Sequence, residues 1–305
     1  NIDVKKVNPF NFLDDSEYNE VTPHGNRYFE ILILEAASKD GIKVLFDGFD
    51  GDSVLSYGYE YLNELGSKFK LIKLIEQAKK YNPAYKFRNI IKNHVFLPYL
   101  PNDWVTYYRS KKNKDLFQKR LKIIKGSESV ISEMQYNNHF NRTKIDKKNV
   151  QELHMSTLEW PIWELAMDLS YIDSKKYNIE ERYPFFDRRV MEFCLSVPGK
   201  FRLKDGISRY YFRESMKQYL PEKNFNRLDK GNISPLVVNY LKENMEIIEK
   251  DIFNEFTENI IDHDYLKKNY IKPFMMGIDK ESSSQLIFQL IALNKWLKKL
   301  YSELK

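Results

Sequence analysis

Apolar and polar positions along the chain predict a mostly helical protein with one β-rich run near the start. In residues 24–39, apolar side chains at positions 29, 32, 33, 36 and 37 follow the spacing of one helix face. Asp40-Gly41 is expected to end that helix, because glycine is the usual residue just past a helix end. Residues 42–46 form the β-rich run, and a turn follows. This order of helix, strand and turn predicts one repeat of a parallel α/β sheet.

The rest of the chain is predicted to be helical. The apolar spacing places helices over residues 53–65, 67–80, 85–93, 115–125, 150–175, 187–195, 208–218, 235–256 and 284–302. The last of these has a broad apolar face that includes Phe288, Ile291 and Leu297. Residues 1–21 are polar and are predicted to be irregular.

The turn after the β-rich run combines three aspartates and two glycines in six positions. Asp47, Asp50 and Asp52 direct carboxylates into one small volume, while Gly48 and Gly51 allow positive φ and the close approach of a ligand. Ligands usually bind at the carboxyl end of a strand in an α/β sheet, and carboxylates there commonly hold Mg²⁺ and, through it, phosphate oxygens. The alternative is a solvated or calcium-like turn. An EF-hand is excluded, because a loop begun at Asp47 or Asp50 has no glutamate at its twelfth position.

Two later segments favour the ligand-binding interpretation. Residues 178–198 include a Glu-x-Arg-x-Pro-Phe-x-Asp pattern, formed by Glu180, Arg182, Pro184, Phe185 and Asp187. Residues 220–235 place Lys230 shortly after Arg227. In this order, the Asp/Gly turn and the two segments resemble the synthetase domain of the asparagine synthetase family. The family's turn reads Ser-Gly-Glu-Gly-Gly-Asp-Glu, and its counterpart here is residues 47–53. The resemblance runs from about His24 to the end of the chain.

The resemblance implies an α/β fold. Part of a parallel nucleotide-binding sheet, of the adenine nucleotide α-hydrolase type, would be followed by a mostly helical lobe. We expect residues 1–65 to form the C-terminal part of the ATP-pyrophosphatase sheet with its Asp/Gly turn. Residues 66–150 are predicted to be a helical and loop insertion, and residues 151–305 to be the helical lobe that completes the synthetase domain.

The chemistry implied by the resemblance is amide formation with ATP and Mg²⁺ as cofactors. A carboxylate attacks the α-phosphate to give an acyl-adenylate, and an amine, or ammonia from glutamine, then displaces AMP. By motif position, Asp52 would hold Mg²⁺ and pyrophosphate, and Asp47, Gly48 and Gly51 would contact the nucleotide. Lys230 would stabilise the adenylate and the tetrahedral intermediate, a role that suits a compact ammonium. The alternative for Lys230 is a surface lysine in a polar loop.

The chain departs from the family pattern at the residue that acts as the general base. The glutamate that assists ammonia attack falls on Phe49, which cannot accept a proton. In β-lactam-forming relatives a tyrosine occupies this position, and a glutamate on the preceding helix helps to deprotonate the amine. Glu164 or Asp168 could fill that place, because their spacing of four puts both on one helix face; solvated helix carboxylates are the alternative. We therefore expect a larger amine, as in the β-lactam and lasso-peptide cyclase branches. The alternative is that Asp47 or Asp50 replaces the missing glutamate as the base.

Arg182 and Asp187 flank the Pro-Phe-Phe sequence, and we expect them to pair and brace that loop. Cys194 lies in an apolar run and is expected to be a core residue rather than a nucleophile. As the single cysteine it cannot form an internal disulfide, so the cytoplasm, a reducing compartment, is the expected location.

Two parts of the family's enzyme do not occur in this sequence. The pyrophosphate-binding Ser-Gly-Gly-x-Asp-Ser loop has no counterpart, and neither has the glutaminase domain. Either the upstream part belongs to a longer chain, or a separate chain supplies it, or the domain is inactive. The first residue is Asn1 rather than Met, which favours the first explanation. The alternative function is a non-catalytic binding or scaffold module, an interpretation supported by Phe49, by Ser53 in place of the turn's second glutamate, and by the missing loop.

Composition and charge limit the classes of molecule that the protein is expected to bind. The chain has 305 residues, 42% of them hydrophobic and 30% charged, which is ordinary for a soluble globular protein. The net charge of +6 is mild, and the basic residues of 109–125 fit a solvated helix better than a nucleic-acid site. The sequence contains no apolar run typical of a signal peptide or membrane span. We expect a small-molecule or peptide carboxylate and an amine as substrates, with no membrane and no nucleic-acid partner.

Overall fold

The computed structural model describes residues 8–11, 27–101, 104–105, 119–126, 148–227, 234–278 and 281–303. These residues are mostly helical and include a small parallel sheet, which is compatible with the predicted α/β class. The chain divides into two compact units. Unit 1 consists of Asn1–Gly41, Lys112–Asn137 and Gly231–Lys305, and unit 2 consists of Ile42–Lys111 and Asn138–Lys230.

Unit 1 opens with helix α1 (Arg27–Lys39), whose bounds agree closely with the predicted first helix. The strand that follows α1 belongs to unit 2, so the predicted helix–strand repeat is divided between the two units.

Unit 2 carries both sheets and most of the sequence motifs. Its elements are, in chain order, β1 (Val44–Phe46), α2 (Gly51–Leu55), α3 (Glu60–Ser67), α4 (Leu71–Tyr81), α5 (Phe87–Ile91), a π-helical turn (Lys92–Phe96), a 3-10 turn (Leu97–Tyr99), α6 (Val150–Leu158), α7 (Ile162–Lys176), β2 (Glu180–Arg182), a second 3-10 turn (Pro184–Phe186), α8 (Arg188–Ser196), α9 (Gly199–Arg202), β3 (Leu203–Lys204), β4 (Ile207–Ser208), α10 (Tyr210–Met216) and α11 (Glu222–Phe225).

The rest of unit 1 is helical. It contains α12 (Ser234–Glu243), α13 (Met245–Asp251), α14 (Glu255–Glu258), α15 (His263–Leu266), a π-helical turn (Lys267–Ile271), α16 (Lys272–Met275) and α17 (Glu281–Glu303). Its core is a continuous cluster in which the fully buried Ile287, Phe288 and Ile291 of α17 pack against the other helices. The predicted broad apolar face of the last helix is therefore the face that this unit buries.

Strands β1 and β2 pair in parallel, with Val44 opposite Glu180, Leu45 opposite Glu181 and Phe46 opposite Arg182. The prediction of a parallel arrangement after α1 is compatible with this pairing. No strand was predicted at β2, which lies between the helices predicted over 150–175 and 187–195. Within the described residues this sheet has two strands, so the larger nucleotide-binding sheet stays a prediction. Strands β3 and β4, also missed, form a short antiparallel hairpin.

Several predicted helices are interrupted. The helix expected over 53–65 is two helices, α2 and α3, and the helix expected over 150–175 is α6 and α7. The first break contains Gly58, which has φ +79°, and a Cβ there would lie 2.7 Å from the backbone carbon of Arg202. The second break contains Pro161, which disfavours a helical residue before it. The helix expected over 115–125 lies largely outside the described residues.

A small apolar cluster of unit 2 fixes the place of the Asp/Gly turn. Val54 and Leu55 of α2 pack with Leu158 and Cys194, and the ring of Phe185 lies against the same cluster. Cys194 is buried and unpaired, as the sequence predicts for a core cysteine. No helix in the described ranges combines the length and the hydropathy that a bilayer span requires.

Candidate functional site

The carboxyl ends of β1 and β2 meet at one edge of the parallel pair. The backbone N–H of Asp47, directly after β1, donates to the carbonyl of Arg182 at 2.9 Å, and the N–H of Glu180 donates to the carbonyl of Lys43 at 2.8 Å. The Asp/Gly turn and the Glu-x-Arg-x-Pro-Phe segment, which are far apart in sequence, therefore start from adjacent points. This edge is where α/β sheets commonly bind ligands.

The backbone of the turn differs from the prediction at its glycines. Neither Gly48 nor Gly51 has positive φ, and the residue that adopts the left-handed conformation is Asp50, with φ 42° and ψ 29°. Aspartate tolerates this conformation because its short side chain can form local hydrogen bonds. Here the hydroxyl of Ser53 donates to Asp50 Oδ1 at 2.8 Å. The expectation that the two glycines supply positive φ is therefore wrong.

Gly51 has a packing role instead. A Cβ at this position would lie 2.8 Å from Cε2 of the Phe185 ring, so the lack of a side chain lets the Pro184–Phe186 turn lie directly on α2. A Cβ at Gly48 would meet nothing within 4 Å, and this residue is exposed. Gly48 therefore leaves open space beside the turn, and nucleotide contact by either glycine stays a prediction.

Asp52 lies in the first turn of α2 and is held from two sides. The hydroxyl of Tyr57 donates to its Oδ2 at 2.5 Å. The guanidinium of Arg209 forms an ion pair with its Oδ1 and lies over the Tyr57 ring, 4.9 Å from the ring centroid. Both charged side chains are partly exposed, at 32% for Asp52 and 23% for Arg209. The ion pair brings a third segment, residues 204–213, to the Asp/Gly turn.

The donor set fits Mg²⁺ only as a partner of phosphate. Among the residues that the structure describes, no three His, Cys, Asp or Glu side chains form a metal-binding group. Mg²⁺ is usually held by one or two carboxylates together with substrate phosphates and water. Asp52, with its carboxylate accessible from solvent, can supply one such ligand, provided that it exchanges Arg209 for the metal.

Lys230 lies outside the described residues, but the chain leading to it is anchored. Arg213 of α10 donates from Nη1 to the carbonyl of Arg227 at 2.8 Å. Because α10 begins directly after Arg209, the same helix contacts both the Asp52 partner and the approach to Lys230. The predicted catalytic role of Lys230 stays a prediction.

Glu164 and Asp168 are exposed on α7. Successive helix residues are turned by about 100°, so both carboxylates lie roughly 100° or more around the helix from Trp163 and Ser170. On α7, Trp163 contacts Phe49 of the turn, and Ser170 contacts Glu181 of β2. The role of Glu164 or Asp168 as a base stays a prediction.

Phe49 lies in a group of aromatic side chains. Its ring centroid is 5.3 Å from that of Tyr183, 5.6 Å from Phe186 and 6.3 Å from Trp163. Trp160 lies edge-on to Trp163 at 5.9 Å and is 57% exposed. The position where the family has a glutamate is therefore surrounded by three rings, and Trp163, one of them, contacts the exposed Trp160.

The structure brings out one carboxyl that the sequence analysis missed. Glu181 of β2 accepts hydrogen bonds from Ser170 Oγ at 2.6 Å and from the Tyr183 hydroxyl at 3.1 Å. Burial raises the pKa of Glu181, and the nearby charges of Asp47 and Asp173 raise it further, against the opposite effect of the two hydrogen bonds. Burial also raises the pKa of Asp47. A carboxyl with a raised pKa beside a ligand-binding edge is a candidate proton acceptor.

Arg182 and Asp187 do not pair as expected. Arg182 Nε lies 2.8 Å from Glu180 Oε1, and Asp187 forms its ion pair with Arg189. Asp187 also accepts a hydrogen bond from the N–H of Arg189 at 2.9 Å and thereby caps α8. Arg182 pairs within β2, and Asp187 pairs with the first turn of α8. The loop between them is therefore held by the cap of α8 and not by an ion pair between Arg182 and Asp187.

Comparison with known proteins agrees with these motifs. The family described as asparagine synthase matches residues 24–298, and the chain belongs to this family. "Asparagine synthetase [glutamine-hydrolyzing] 1" of Bacillus subtilis (strain 168) is 26% identical over 125 residues, which cover 39% of this chain and 18% of that relative. The chain thus matches less than a fifth of the relative's length. No solved structure matches the chain.

Proposed function

We propose that this chain carries the synthetase site of an ATP-dependent carbon–nitrogen ligase, which forms an amide by way of an acyl-adenylate. The observation that carries the proposal is the convergence of three distant segments, residues 47–53, 180–187 and 204–213, at the carboxyl end of two parallel strands. The first two segments carry motifs of the family resemblance, and the third contacts the segment of Arg227 and Lys230 through Arg213. The chain belongs to the family.

In this proposal, β1 and β2 belong to a larger parallel sheet of the adenine nucleotide α-hydrolase type. Parallel sheets are normally covered on both faces, yet Val44 and Phe46 on one face of β1 are 36% and 68% exposed. The exposed face supports a further covering layer, and we propose that the segment or second chain that forms it also supplies the remaining strands and the pyrophosphate loop. The domain limits predicted above and a cytoplasmic location belong to the same proposal. A glutaminase domain belongs to it only in the alternative in which the amine is ammonia.

In the first step an oxygen of the substrate carboxylate bonds to the α-phosphorus of ATP, and the bond to pyrophosphate breaks. Mg²⁺, when bound, would neutralise charge on the leaving pyrophosphate. Asp52 would hold the metal and, with Asp47 and Gly48, would line the nucleotide site. Arg209 would turn from Asp52 to the phosphate oxygens, for which a guanidinium is well suited. Lys230 would stabilise the adenylate.

In the second step the amine nitrogen bonds to the acyl carbon, the bond from that carbon to AMP breaks, and a proton leaves the nitrogen. We propose Glu181 as the acceptor of this proton, because its raised pKa brings it closer to the working pH of a general base. Tyr183 connects Glu181 to Phe49, the position of the family's glutamate. Glu164 and Asp168 are the alternatives.

The rings around Phe49 favour an amine larger than ammonia. Trp163, Tyr183 and Phe186 surround the position with apolar surface, which would contact a substrate side chain but offers ammonia little to bind. This supports an activity like that of the β-lactam or lasso-peptide cyclase branch, with a small-molecule or peptide carboxylate as the other substrate.

The test is pyrophosphate release by the intact protein. Lys230→Ala and Asp52→Ala are each expected to abolish release while the circular dichroism spectrum and melting temperature stay near those of the wild type. Lys223→Ala and Asp40→Ala, which change exposed residues of the same charge, serve as matched controls. Normal turnover in either site variant would overturn the proposed roles.

A second function is favoured by two residues of the turn. Phe49 and Ser53 stand where the family has glutamates, and no Ser-Gly-Gly occurs in the sequence. A binding or scaffold module could keep the fold without ATP chemistry. Calorimetric titration of the intact protein with Mg-ATP separates the two, because a module without a phosphate loop should bind the nucleotide poorly.

A further inference from the structure

We infer that Arg202 and His154 form a buried relay that positions α2, and with it Asp52, and that the relay holds only while His154 is neutral with its proton on Nε2. Its link to catalysis rests on the proposed function. The relay itself joins four elements of unit 2: Arg202 of α9 contacts the end of α8, and His154 of α6 contacts α2.

Arg202 anchors one end of the relay. Its side chain is 0% exposed. Nε donates to the carbonyl of Val197 at 2.8 Å, and Nη2 donates to the carbonyls of Cys194 and Leu195 at 3.0 and 2.9 Å. The last carbonyls of a helix have no partner within it and carry partial negative charge. The guanidinium therefore caps the C-terminal end of α8, and this accounts for a buried cation at that place.

His154 connects Arg202 to α2 through one hydrogen bond at each ring nitrogen. It is 1% exposed. Nη1 of Arg202 lies 2.8 Å from Nδ1 of His154, and Nε2 lies 2.8 Å from the carbonyl of Ser53. A guanidinium can only donate, and a carbonyl can only accept. Nδ1 must therefore be the acceptor and Nε2 must carry the proton. A doubly protonated ring would direct an N–H at the guanidinium and break the relay.

Helix α2 depends on such anchors because it is short. It has five residues, well below the length at which an isolated helix is stable in water. His154 holds the carbonyl of Ser53, and the hydroxyl of Tyr211 donates to the carbonyl of Leu55 at 3.0 Å. Both contacts lie after Asp52 in the helix, so they fix the direction in which its first turn presents that carboxylate.

Protonation of His154 is opposed by its surroundings. Burial lowers the pKa of His154, and the charge of Arg202 lowers it further. The hydrogen bonds to the backbone of Ser53 and Val54 and the charge of Glu60 of α3 act in the opposite direction. The other charged or titratable groups that act on Arg202 are Glu64 of α3, Cys194 of α8 and Tyr211 of α10. At neutral pH the relay is therefore closed, and acidification is the condition that opens it.

Two substitutions distinguish the effect of the hydrogen bonds of His154 from the effect of its packing. His154→Gln keeps an acceptor for Arg202 and a donor for Ser53, whereas His154→Leu has a similar size and offers neither. In His154→Leu we expect the amides of Ser53 and Val54, which donate to Asp50, to exchange with solvent roughly tenfold faster. The amides in His154→Gln should stay within about threefold of the wild type. Equal protection in the two variants would overturn the inference.

The tautomer and the kinetics complete the test. In ¹⁵N-correlated NMR spectra at pH 7, His154 is expected to be neutral with the proton on Nε2; a proton on Nδ1, or on both nitrogens, would contradict the relay. For pyrophosphate release, His154→Leu should lose roughly tenfold in kcat/KM for Mg-ATP. His154→Gln should retain it and lose the acidic limb of the wild-type pH profile. If the wild type releases no pyrophosphate, the proposed function fails, and the NMR and exchange data alone decide the relay.

Discussion

Acidification from pH 7 to pH 5 is expected to destabilise unit 2 through His94. This residue lies in the π-helical turn Lys92–Phe96. Its Nδ1 is 2.6 Å from Asn63 Oδ1, and its Nε2 is 3.1 Å from the hydroxyl of Tyr85. Burial lowers the pKa of His94 from its ordinary 6.5 to about 4. The folded protein therefore resists a proton that the unfolded chain accepts readily.

The size of the effect follows from proton linkage. Because the folded pKa is the lower one, the unfolded state binds more protons below pH 6.5. The contribution of His94 to stability is therefore complete above about pH 6.5 and is lost as the pH falls towards 4. For one group with these two pKa values, the free energy of unfolding decreases by about 2 kcal/mol between pH 7 and pH 5.

Urea unfolding followed by tryptophan fluorescence measures this loss. Trp104, Trp160 and Trp163 belong to unit 2 and Trp296 to unit 1, so a Trp296→Phe background confines the signal to unit 2. Asp47 and Glu181 also titrate. Their raised pKa values make folding more favourable as the pH falls. The informative quantity is therefore the difference between the wild type and a variant in the same background.

His94→Gln is the variant that isolates the effect. It cannot titrate, so its loss of stability between pH 7 and pH 5 should be about 2 kcal/mol smaller than that of the wild type. His263→Gln, which changes a residue of unit 1, should keep the wild-type pH dependence of unit 2. If the wild type and His94→Gln lose the same stability on acidification, the buried neutral histidine is not the cause of the acid sensitivity.

Two further predictions concern the turn and the base. Glu181→Gln should keep carboxylate-dependent exchange between ATP and pyrophosphate but lose amide formation by at least about a hundredfold. Glu164→Gln, which changes an alternative base, should keep amide formation; unchanged amide formation in Glu181→Gln would exclude Glu181. Gly51→Ala should cost about 1–3 kcal/mol in the free energy of unfolding, because the new methyl group meets the Phe185 ring. Gly48→Ala, with open space at its Cβ, should change it by less than about 0.5 kcal/mol, and equal stabilities would contradict the packing role.

The local sequence pattern was sufficient to predict β1, the Asp/Gly turn and the first and last helices. It failed at β2, because Glu180, Glu181 and Arg182 contain no apolar residue. This segment is a strand through its backbone pairing with β1, and periodicity carries no signal of that pairing. The break around Gly58 was missed for a similar reason, because the close contact at this glycine is with the backbone of Arg202, which is distant in sequence. Such contacts depend on the folded chain rather than on neighbouring residues.

For the candidate site, the motifs indicated which segments converge but not how their side chains pair. Asp52 was singled out by its place in the turn, yet nothing local identifies Arg209 as its partner. Glu181 was overlooked because a carboxylate between another glutamate and an arginine resembles a solvated residue. Its burial comes from α7, through Ser170. The sequence shows that Phe49 replaces a glutamate, but it does not show that Trp163, Tyr183 and Phe186 surround Phe49.

The contacts that assemble this site also determine when it can form during folding. Asp52 and Arg209 are separated by 157 residues, and Ser53 and His154 by 101. Closing loops of this length costs entropy before the contacts compensate for it, and chains dominated by such contacts fold slowly. The helices, made of local contacts, would form early. On the ribosome, a nascent chain would have its acidic turn long before Arg209 emerges to pair with it, so the carboxylates become organised only near the end of synthesis of unit 2.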